Sequence, residues 1–278
     1  MKVSVIISVF NRVDVLAKCL ISLSNQSCLP DEVIITDDGS SENTQEILKK
    51  ELPFDVYYCC QKDIGFRLAR CKNNGVISSS GDILVFLDQD IITTKDYIRT
   101  IRDNIKKSDF LVSLPIRLSE MQSEKISFQH LTNCKYDDLI YTDQIKKVKK
   151  QYFKEKLYRS LYKLRLRKTA LKLRGGAFAV YRKDLLEVNG FDENYTGWGN
   201  EDDDLGQRLS FSGITGKNPF LNDYSLHLYH PTNNPAGIRV NQEYYRSIKQ
   251  RIKDNLGFCE YGINNRRDKD EVKCIRIK

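Results

Sequence analysis

What the chain has little of narrows it first. Its eight cysteines (Cys19, Cys28, Cys59, Cys60, Cys71, Cys134, Cys259 and Cys274) form no Cys-x-x-Cys pair and no zinc spacing. A chain of 278 residues can bury a full core without metal or disulfide staples. The cysteines are therefore read as reduced and the protein as cytoplasmic. Long apolar runs are absent too: Val3 to Phe10 falls far short of the roughly 20 residues of a membrane-spanning helix, and it lacks the small-residue cleavage site of an export signal. Only three histidines and one tryptophan occur, so the position of each carries information.

The formal charge of +8 suggests nucleic acid until it is located. Lys146 to Arg174 holds thirteen Lys and Arg against one acid, Glu155, and without that segment the net charge is 8 − (13 − 1) = −4. The basicity is local. No nucleic-acid recognition motif accompanies it, so no nucleic-acid partner is expected. From Ile145 to Leu173 apolar residues (Val148, Tyr152, Phe153, Leu157, Leu161, Leu164, Leu171) interleave with the cations at near-helical spacing. Such a basic amphipathic helix suits an anionic membrane surface or a partner protein; the alternative is a solvated helix face packed on the rest of the chain.

Along the first 115 residues, β-branched runs alternate with helix-period segments, the pattern of a mainly parallel sheet flanked by helices. Strands are expected at Val3 to Phe10, Glu32 to Thr36, Val56 to Cys60, Ile83 to Leu87 and Phe110 to Leu114. Helices are expected at Val13 to Asn25, Ser41 to Leu52, Arg67 to Ser79 and Thr94 to Lys107. The strands end on polar tips: Ser8-Val9-Phe10-Asn11, Asp37-Asp38-Gly39-Ser40 and Asp88-Gln89-Asp90. Ligands of open α/β sheets bind beyond the carboxyl ends of the strands, so these tips should share one crevice. A carboxylate such as Asp38 can accept from a base N–H, an aromatic such as Phe10 can stack on the base, and paired acids can hold a divalent cation under a diphosphate. Arg67, Arg70 and Lys72 crowd one helix start, where guanidinium groups could grip a diphosphate or lie on a solvated helix face.

Farther on, Gly190-Phe191-Asp192-Glu193-Asn194-Tyr195-Thr196-Gly197-Trp198-Gly199-Asn200 runs into four adjacent acids, Glu201 to Asp204. Adjacent acids repel, and a helix start or a bound cation would relieve them. Ser225-Leu226-His227-Leu228-Tyr229-His230 sets two of the three histidines three apart. Strand side chains alternate faces, so His230 and His227 would both point inward only if the backbone turns between them. His130 is given no site role. Gln242 to Leu256 reads as a helix, and 259–278 as a charged tail, loose from Asn264 to Lys278.

Together, Val3 to Asn11, Asp37-Asp38-Gly39-Ser40 and Asp88-Gln89-Asp90 resemble the nucleotide-sugar half of glycosyltransferase family 2 with the GT-A fold. Gly175-Gly176-Ala177-Phe178, Asn189-Gly190-Phe191 and Gly197-Trp198-Gly199-Asn200-Glu201-Asp202-Asp203-Asp204 resemble the acceptor half of β-1,4-galactosyltransferases and chondroitin-polymerase-like enzymes. The resemblance, which covers roughly 2–114 and 174–235, implies an α/β chain with a nucleotide-sugar half (1–115) and an acceptor half (174–258); a basic helical insertion (116–173) between them and a charged tail (259–278) lie outside it. It implies inverting transfer of a hexose or N-acetylhexosamine from a UDP-sugar to a saccharide or lipid-linked saccharide, in bacterial surface-polysaccharide or glycolipid assembly. Asp202 would be the general base, with Glu201, Gly176 and Trp198 on the acceptor. Ser8, Phe10, Asn11, Asp38, Arg67, Arg70 and Asp88 would hold the donor. Asp90, His230, Asp88 and His227 are the candidate metal ligands, with imidazole among carboxylates favouring Mn²⁺ over Mg²⁺. His227 stands where animal β-1,4-galactosyltransferases carry a methionine. A nucleotidyltransferase, or a non-catalytic carbohydrate-binding protein on a transferase scaffold, are the competing readings.

Overall fold

The computed structural model describes residues 1–49, 51–231, 237–254 and 257–277. The first half runs β1 (Val3–Val9), α1 (Val13–Ser24), β2 (Glu32–Asp37), α2 (Thr44–Leu48), β3 (Asp55–Gln61), α3 (Leu68–Ser78), β4 (Ile83–Asp88), β5 (Ile91–Thr93), α4 (Tyr97–Asn104) and β6 (Asp109–Val112). A middle segment follows with β7 (Ile116–Arg117), α5 (Glu120–Glu124), α6 (Phe128–Asn133) and α7 (Thr142–Lys163). The remainder comprises β8 (Ala177–Tyr181), α8 (Arg182–Glu187), α9 (Glu201–Phe211), β9 (Thr215–Lys217), β10 (Ser225–His227), α10 (Gln242–Asp254) and β11 (Val272–Arg276).

Eight strands form one sheet in the order β11-β3-β2-β1-β4-β8-β6-β9. β3, β2, β1 and β4 are parallel neighbours, while β8 runs antiparallel between β4 and β6. β1 and β2 are buried at every residue, which is why they read as unbroken apolar runs rather than alternating ones. Successive residues feed opposite layers: Val5 and Ile7 pack with Leu16, Leu20 and Ile98, whereas Ile6 packs with Phe86, Phe178, Phe191 and Leu205. The intervening β8 delivers Gly175-Gly176 to the carboxyl end of β4, where the Asp88 N–H donates to the Gly176 carbonyl at 3.1 Å.

A second sheet, β5-β10-β7, carries a third core in which Ile116, Leu131, Tyr136 and Val148 of the middle segment pack with Ile92 and Leu226. The segment expected as an insertion thus shares its core with both flanking halves.

Four local expectations are corrected. α2 is shorter than 41–52 and spans only Thr44–Leu48; Leu52, directly before Pro53, is itself driven from helical geometry. α4 starts at Tyr97 rather than Thr94, because Thr94 is held by Tyr224 through backbone and hydroxyl hydrogen bonds. The expected loose tail instead contains β11, antiparallel on β3 and covering that sheet edge. The basic helix is not amphipathic in the expected sense: of its apolar residues Val148 is buried, whereas Phe153 and Leu157 face solvent, and the helix ends at Lys163. Buried Glu155 anchors it to Arg174 and to Asn218 Nδ2 (2.7 Å), and Arg159 reaches Asp109 Oδ1 at 2.6 Å. α10 ends at Asp254, and residues 255–256 of the expected helix lie outside the described residues. No helix among the described residues is long and apolar enough to cross a membrane.

Candidate active site

The carboxyl ends of β1 and β4 meet as the parallel register dictates: Ser8 pairs with Asp88, and the Ser8 hydroxyl donates to Asp88 Oδ1 at 3.2 Å. Phe10 is 42% exposed, and its backbone is bracketed by the Gln89 side-chain amide, which accepts from Phe10 N–H (3.1 Å) and donates to its carbonyl (3.3 Å). Asn11 adopts φ 53° and accepts with Oδ1 from the N–H groups of Ser41 and Glu42 at 2.9 and 3.2 Å, fastening the loop after β1 to the loop after β2. Asp38 is buried and already accepts from Arg67 N–H (2.8 Å) and Gln61 Nε2 (2.5 Å). Burial pushes its carboxyl up to about 6 despite those bonds.

Beyond β4, Asp90 faces both histidines. His230 Nε2 lies 3.1 Å from Asp90 Oδ2, and His227 Nε2 lies 3.7 Å from Oδ1. The two face one carboxylate because β10 ends at His227, so strand alternation no longer governs His230. Arg12 Nη1 approaches Asp90 Oδ2 at 3.5 Å. One ligand atom from each of Asp90, His227 and His230 falls within 4.8 Å of the others, and among the described residues buried Asp90 Oδ1 has no hydrogen-bond partner. A carboxylate and two imidazoles with an unpaired buried oxygen suit a divalent transition metal. Burial opposes ionisation of Asp90, but the His230 hydrogen bond and the charges of His227 and Arg12 hold it below the ordinary carboxylate range. The Asp90 hydrogen bond raises His230, while burial lowers His227. Asp88 is not part of this triad. His130 lies elsewhere, capping α6 through Ser127 and meeting Asp138 at 3.0 Å.

The four-acid run resolves into four environments. Glu201 and Asp202 open α9, whose preceding Asn200 takes φ 78°. Asp202 Oδ1 meets Lys72 Nζ at 3.3 Å. Glu201 is buried, and burial followed by the Asp202 charge pushes its carboxyl up to about 8. Asp203 turns to Arg239 Nη1 (2.7 Å) and Lys172 Nζ (3.4 Å). Asp204, expected as a simple helix-start residue, is fully buried in an ion pair with Arg208 Nε at 2.7 Å, and Arg208 also donates to the carbonyls of Val188 and Gly190.

Lys72 links the two sides of the crevice. Burial opposes its charge, but Asp202, Asp88 and Glu201 outweigh that and raise its pKa. Asp88 is pushed up to about 6 by burial, which exceeds the opposing pull of Lys72. The Gly175-Gly176 pair makes this approach possible: a Cβ on Gly175 would overlap the Asp202 carboxylate, and one on Gly176 would sit 3.3 Å from Asp88 Oδ2.

Trp198 is 46% exposed, so it is not the buried anchor that a lone tryptophan often is. Gly197 (φ 76°) and Gly199 (φ 102°) bend the loop, Asn241 Nδ2 donates to the Gly199 carbonyl at 2.9 Å, and the Arg239 guanidinium lies 5.9 Å from the indole.

Arg67 and Arg70 depart from expectation. Both are buried; Arg67 pairs with Asp270 (3.0 Å) and Asp268 (3.2 Å), and Arg70 with Asp270 (3.2 Å) and the carbonyls of Asp268 and Asp270. The C-terminal segment occupies the groups that a diphosphate was expected to fill. Sequence reasoning left Lys72 without a role and missed Gln89, Arg12 and Arg239. Lys72 and Gln89 lie inside motifs already singled out, whereas nothing local marks Arg12 or Arg239.

Comparison with known proteins agrees with this fold. The family model for glycosyl transferase family 2 matches residues 4–190, and a model described as the N-terminal domain of galactosyltransferase matches 155–231. Chondroitin synthase of Escherichia coli is 29% identical over 222 residues, covering 76% of this chain and 32% of that protein. Validoxylamine A glucosyltransferase of Streptomyces hygroscopicus subsp. limoneus is 26% identical over 234 residues, covering 76% and 48%. The chain therefore spans a third to a half of these relatives. Among solved structures, S. aureus TarS 1–349 in complex with UDP-GlcNAc superposes with a TM-score of 0.61 at 16% identity, covering 95% of this chain and 69% of that one. GalNAc-T7 with UDP, GalNAc and Mn²⁺ gives 0.57 at 17%, covering 92% and 50%. These likenesses establish the GT-A fold. Since the family 2 model spans well over half of the sequence, the chain belongs to glycosyl transferase family 2.

Proposed function

We propose that this glycosyltransferase moves a hexose or N-acetylhexosamine from a UDP-sugar to a saccharide hydroxyl with inversion, the acceptor being a free or lipid-linked saccharide of cytoplasmic surface-polysaccharide or glycolipid assembly. The observation that carries the reading is the pairing of two clusters across Gly175-Gly176: Asp90, His227 and His230 on one side, Lys72, Glu201 and Asp202 on the other. A divalent ion, Mn²⁺ in preference to Mg²⁺, would be held by Asp90, His227 and His230 and would supply positive charge to the leaving diphosphate.

The chain's own groups then divide the work. Asp202 takes the proton of the acceptor hydroxyl as that oxygen bonds to the donor's anomeric carbon and the bond to the diphosphate breaks. Glu201, held protonated at neutral pH, can donate a hydrogen bond to the acceptor instead of competing for its proton. Lys72 keeps Asp202 in place and offsets its charge. Trp198 offers a flat face to a sugar ring and Phe10 to the base, with Ser8, Asn11 and Asp38 shaping the donor end. The likeness to structures named for UDP-GlcNAc and for UDP with Mn²⁺, and to a relative named chondroitin synthase, supports a nucleotide-sugar donor, a divalent ion and a saccharide acceptor.

UDP release from a panel of UDP-sugars, with saccharide acceptors and Mn²⁺ present or chelated, tests it. The expected result is acceptor-stimulated, metal-dependent release that Asp202→Asn lowers by about 10² to 10⁴, with UDP binding retained. Turnover near wild type in that variant would reject Asp202 as the base.

A further inference from the structure

We propose that the outward face of α7 and the turn that follows it dock the protein on an anionic lipid bilayer. Lys146, Lys150, Phe153, Leu157 and Leu164 succeed one another at spacings of three, four or seven and so form one stripe. The opposite side of the helix is committed inward through Val148, Glu155 and Arg159. Along the stripe Phe153 is 58%, Leu157 56% and Leu164 68% exposed, and Leu166 in the next turn is 74% exposed. Lysines flank this apolar row on both sides, and a groove lined by Tyr162, Lys163, Arg165, Arg167 and Lys168 opens beside Leu164. The one acid between Lys146 and Arg174, Glu155, is buried and already paired. The whole outward face is therefore cationic around an apolar centre.

That combination selects the occupant. A bilayer accepts both halves: lipid phosphates meet the lysines and the basic groove, while Phe153 and the leucines enter the acyl boundary. A nucleic acid would neutralise the charge but leave the leucines against water. A second copy of the same face would set like charges together across a two-fold axis.

Flotation of the full chain with vesicles of phosphatidylcholine, alone or mixed with phosphatidylglycerol, tests the surface without measuring sugar transfer. The protein is expected to float with the mixed vesicles, not with phosphatidylcholine alone, and to be released by high salt. A Phe153→Ser/Leu157→Ser/Leu164→Ser variant and a Lys146→Glu/Lys150→Glu/Lys154→Glu variant should each partition on the order of a hundredfold more weakly, with unchanged thermal unfolding since every altered side chain is exposed. Absence of flotation, equal flotation with neutral vesicles, or unaltered flotation of both variants would overturn the proposal. So would a short oligonucleotide bound more tightly than the mixed vesicles, or a dimer abolished by the serine variant in protein that does not float.

Discussion

Lys72 Nζ lies 3.3 Å from Asp202 Oδ1, and the lysine is almost completely buried. A buried ammonium is costly unless carboxylates surround it, and Asp202, Asp88 and Glu201 are the charges that keep it protonated. One side chain from α3 thereby holds the acid at the start of α9 against the acid at the end of β4. The two halves of the crevice depend on it electrostatically, not only through packing.

Replacing Lys72 with Met should therefore be costly twice. Removing one partner of a buried ionic group leaves the others uncompensated, at about 3 kcal/mol. The variant should melt lower by several degrees, and its UDP release should fall at least about tenfold even at temperatures where it is folded. Circular dichroism melts with kinetics at a low temperature would show both; unchanged kinetics would mean that Asp202 keeps its place without Lys72.

Glu201 gives the protein a pH signature. Its carboxyl lies at about 8 in the folded chain against an ordinary 4.5, so folding favours the protonated form. Its contribution to stability is present in full below about pH 4.5 and is lost as the pH rises towards about 8. Glu201→Gln stays neutral throughout. Relative to wild type, its melting temperature should gain steadily between those two pH values, and a difference that stays flat with pH would refute the shifted carboxyl.

The acidic run also shows what a sequence can and cannot convey. Four adjacent acids announce a special helix start, and the Gly-Trp-Gly before them announces a loop that must bend. That Asp204 belongs to the core, Asp203 to Arg239 and Lys172, and Glu201 and Asp202 to the crevice follows from helix geometry, from Arg208 one turn on in the same helix, and from Arg239 and Lys72, which come from separate elements. The strand-end tips were legible for the same reason that β1 and β4 were: register of a buried parallel sheet aligns Ser8 with Asp88. The pairing of Arg67 and Arg70 was not legible, because their partners Asp268 and Asp270 lie some two hundred residues away in a segment whose charge suggested a loose tail.

Gly175→Ala should mimic loss of the base without removing any ionisable group. The added methyl would overlap the Asp202 carboxylate and force it away from Lys72. Transfer should fall by about 10² or more, while the melting temperature moves by only a few degrees and donor binding stays near wild type. Full activity would show that Asp202 works from another position.

Mn²⁺ titration followed by calorimetry should separate the metal ligands. His230→Ala and His227→Ala are each expected to weaken Mn²⁺ at least about tenfold, and Asp90→Asn more. Asp90 raises His230, and a bound metal must displace that proton. Affinity in the wild type should accordingly weaken as the pH falls through the raised His230 value, and His230→Ala should lose most of that dependence. Equal affinity in wild type and both histidine variants would disprove the triad.

Asp270→Ala decides what Arg67 and Arg70 are for. Asp270 is held below the ordinary carboxylate range, burial opposing but the Arg67 hydrogen bond and the charges of Arg70 and Arg67 prevailing, so its contribution is present above that range and lost as the pH falls below it, through the lowered folded value. Near neutral pH the variant leaves two buried guanidinium groups short of their partner and loosens the approach to β11, at about 2 to 3 kcal/mol. It should melt lower near neutral pH and converge towards wild type in acid. Its UDP affinity should stay unchanged if the arginines serve only to clasp the C-terminal segment. Tighter UDP binding in Asp270→Ala would mean instead that the aspartates shield a diphosphate site, and Arg67 and Arg70 would return to the donor pocket.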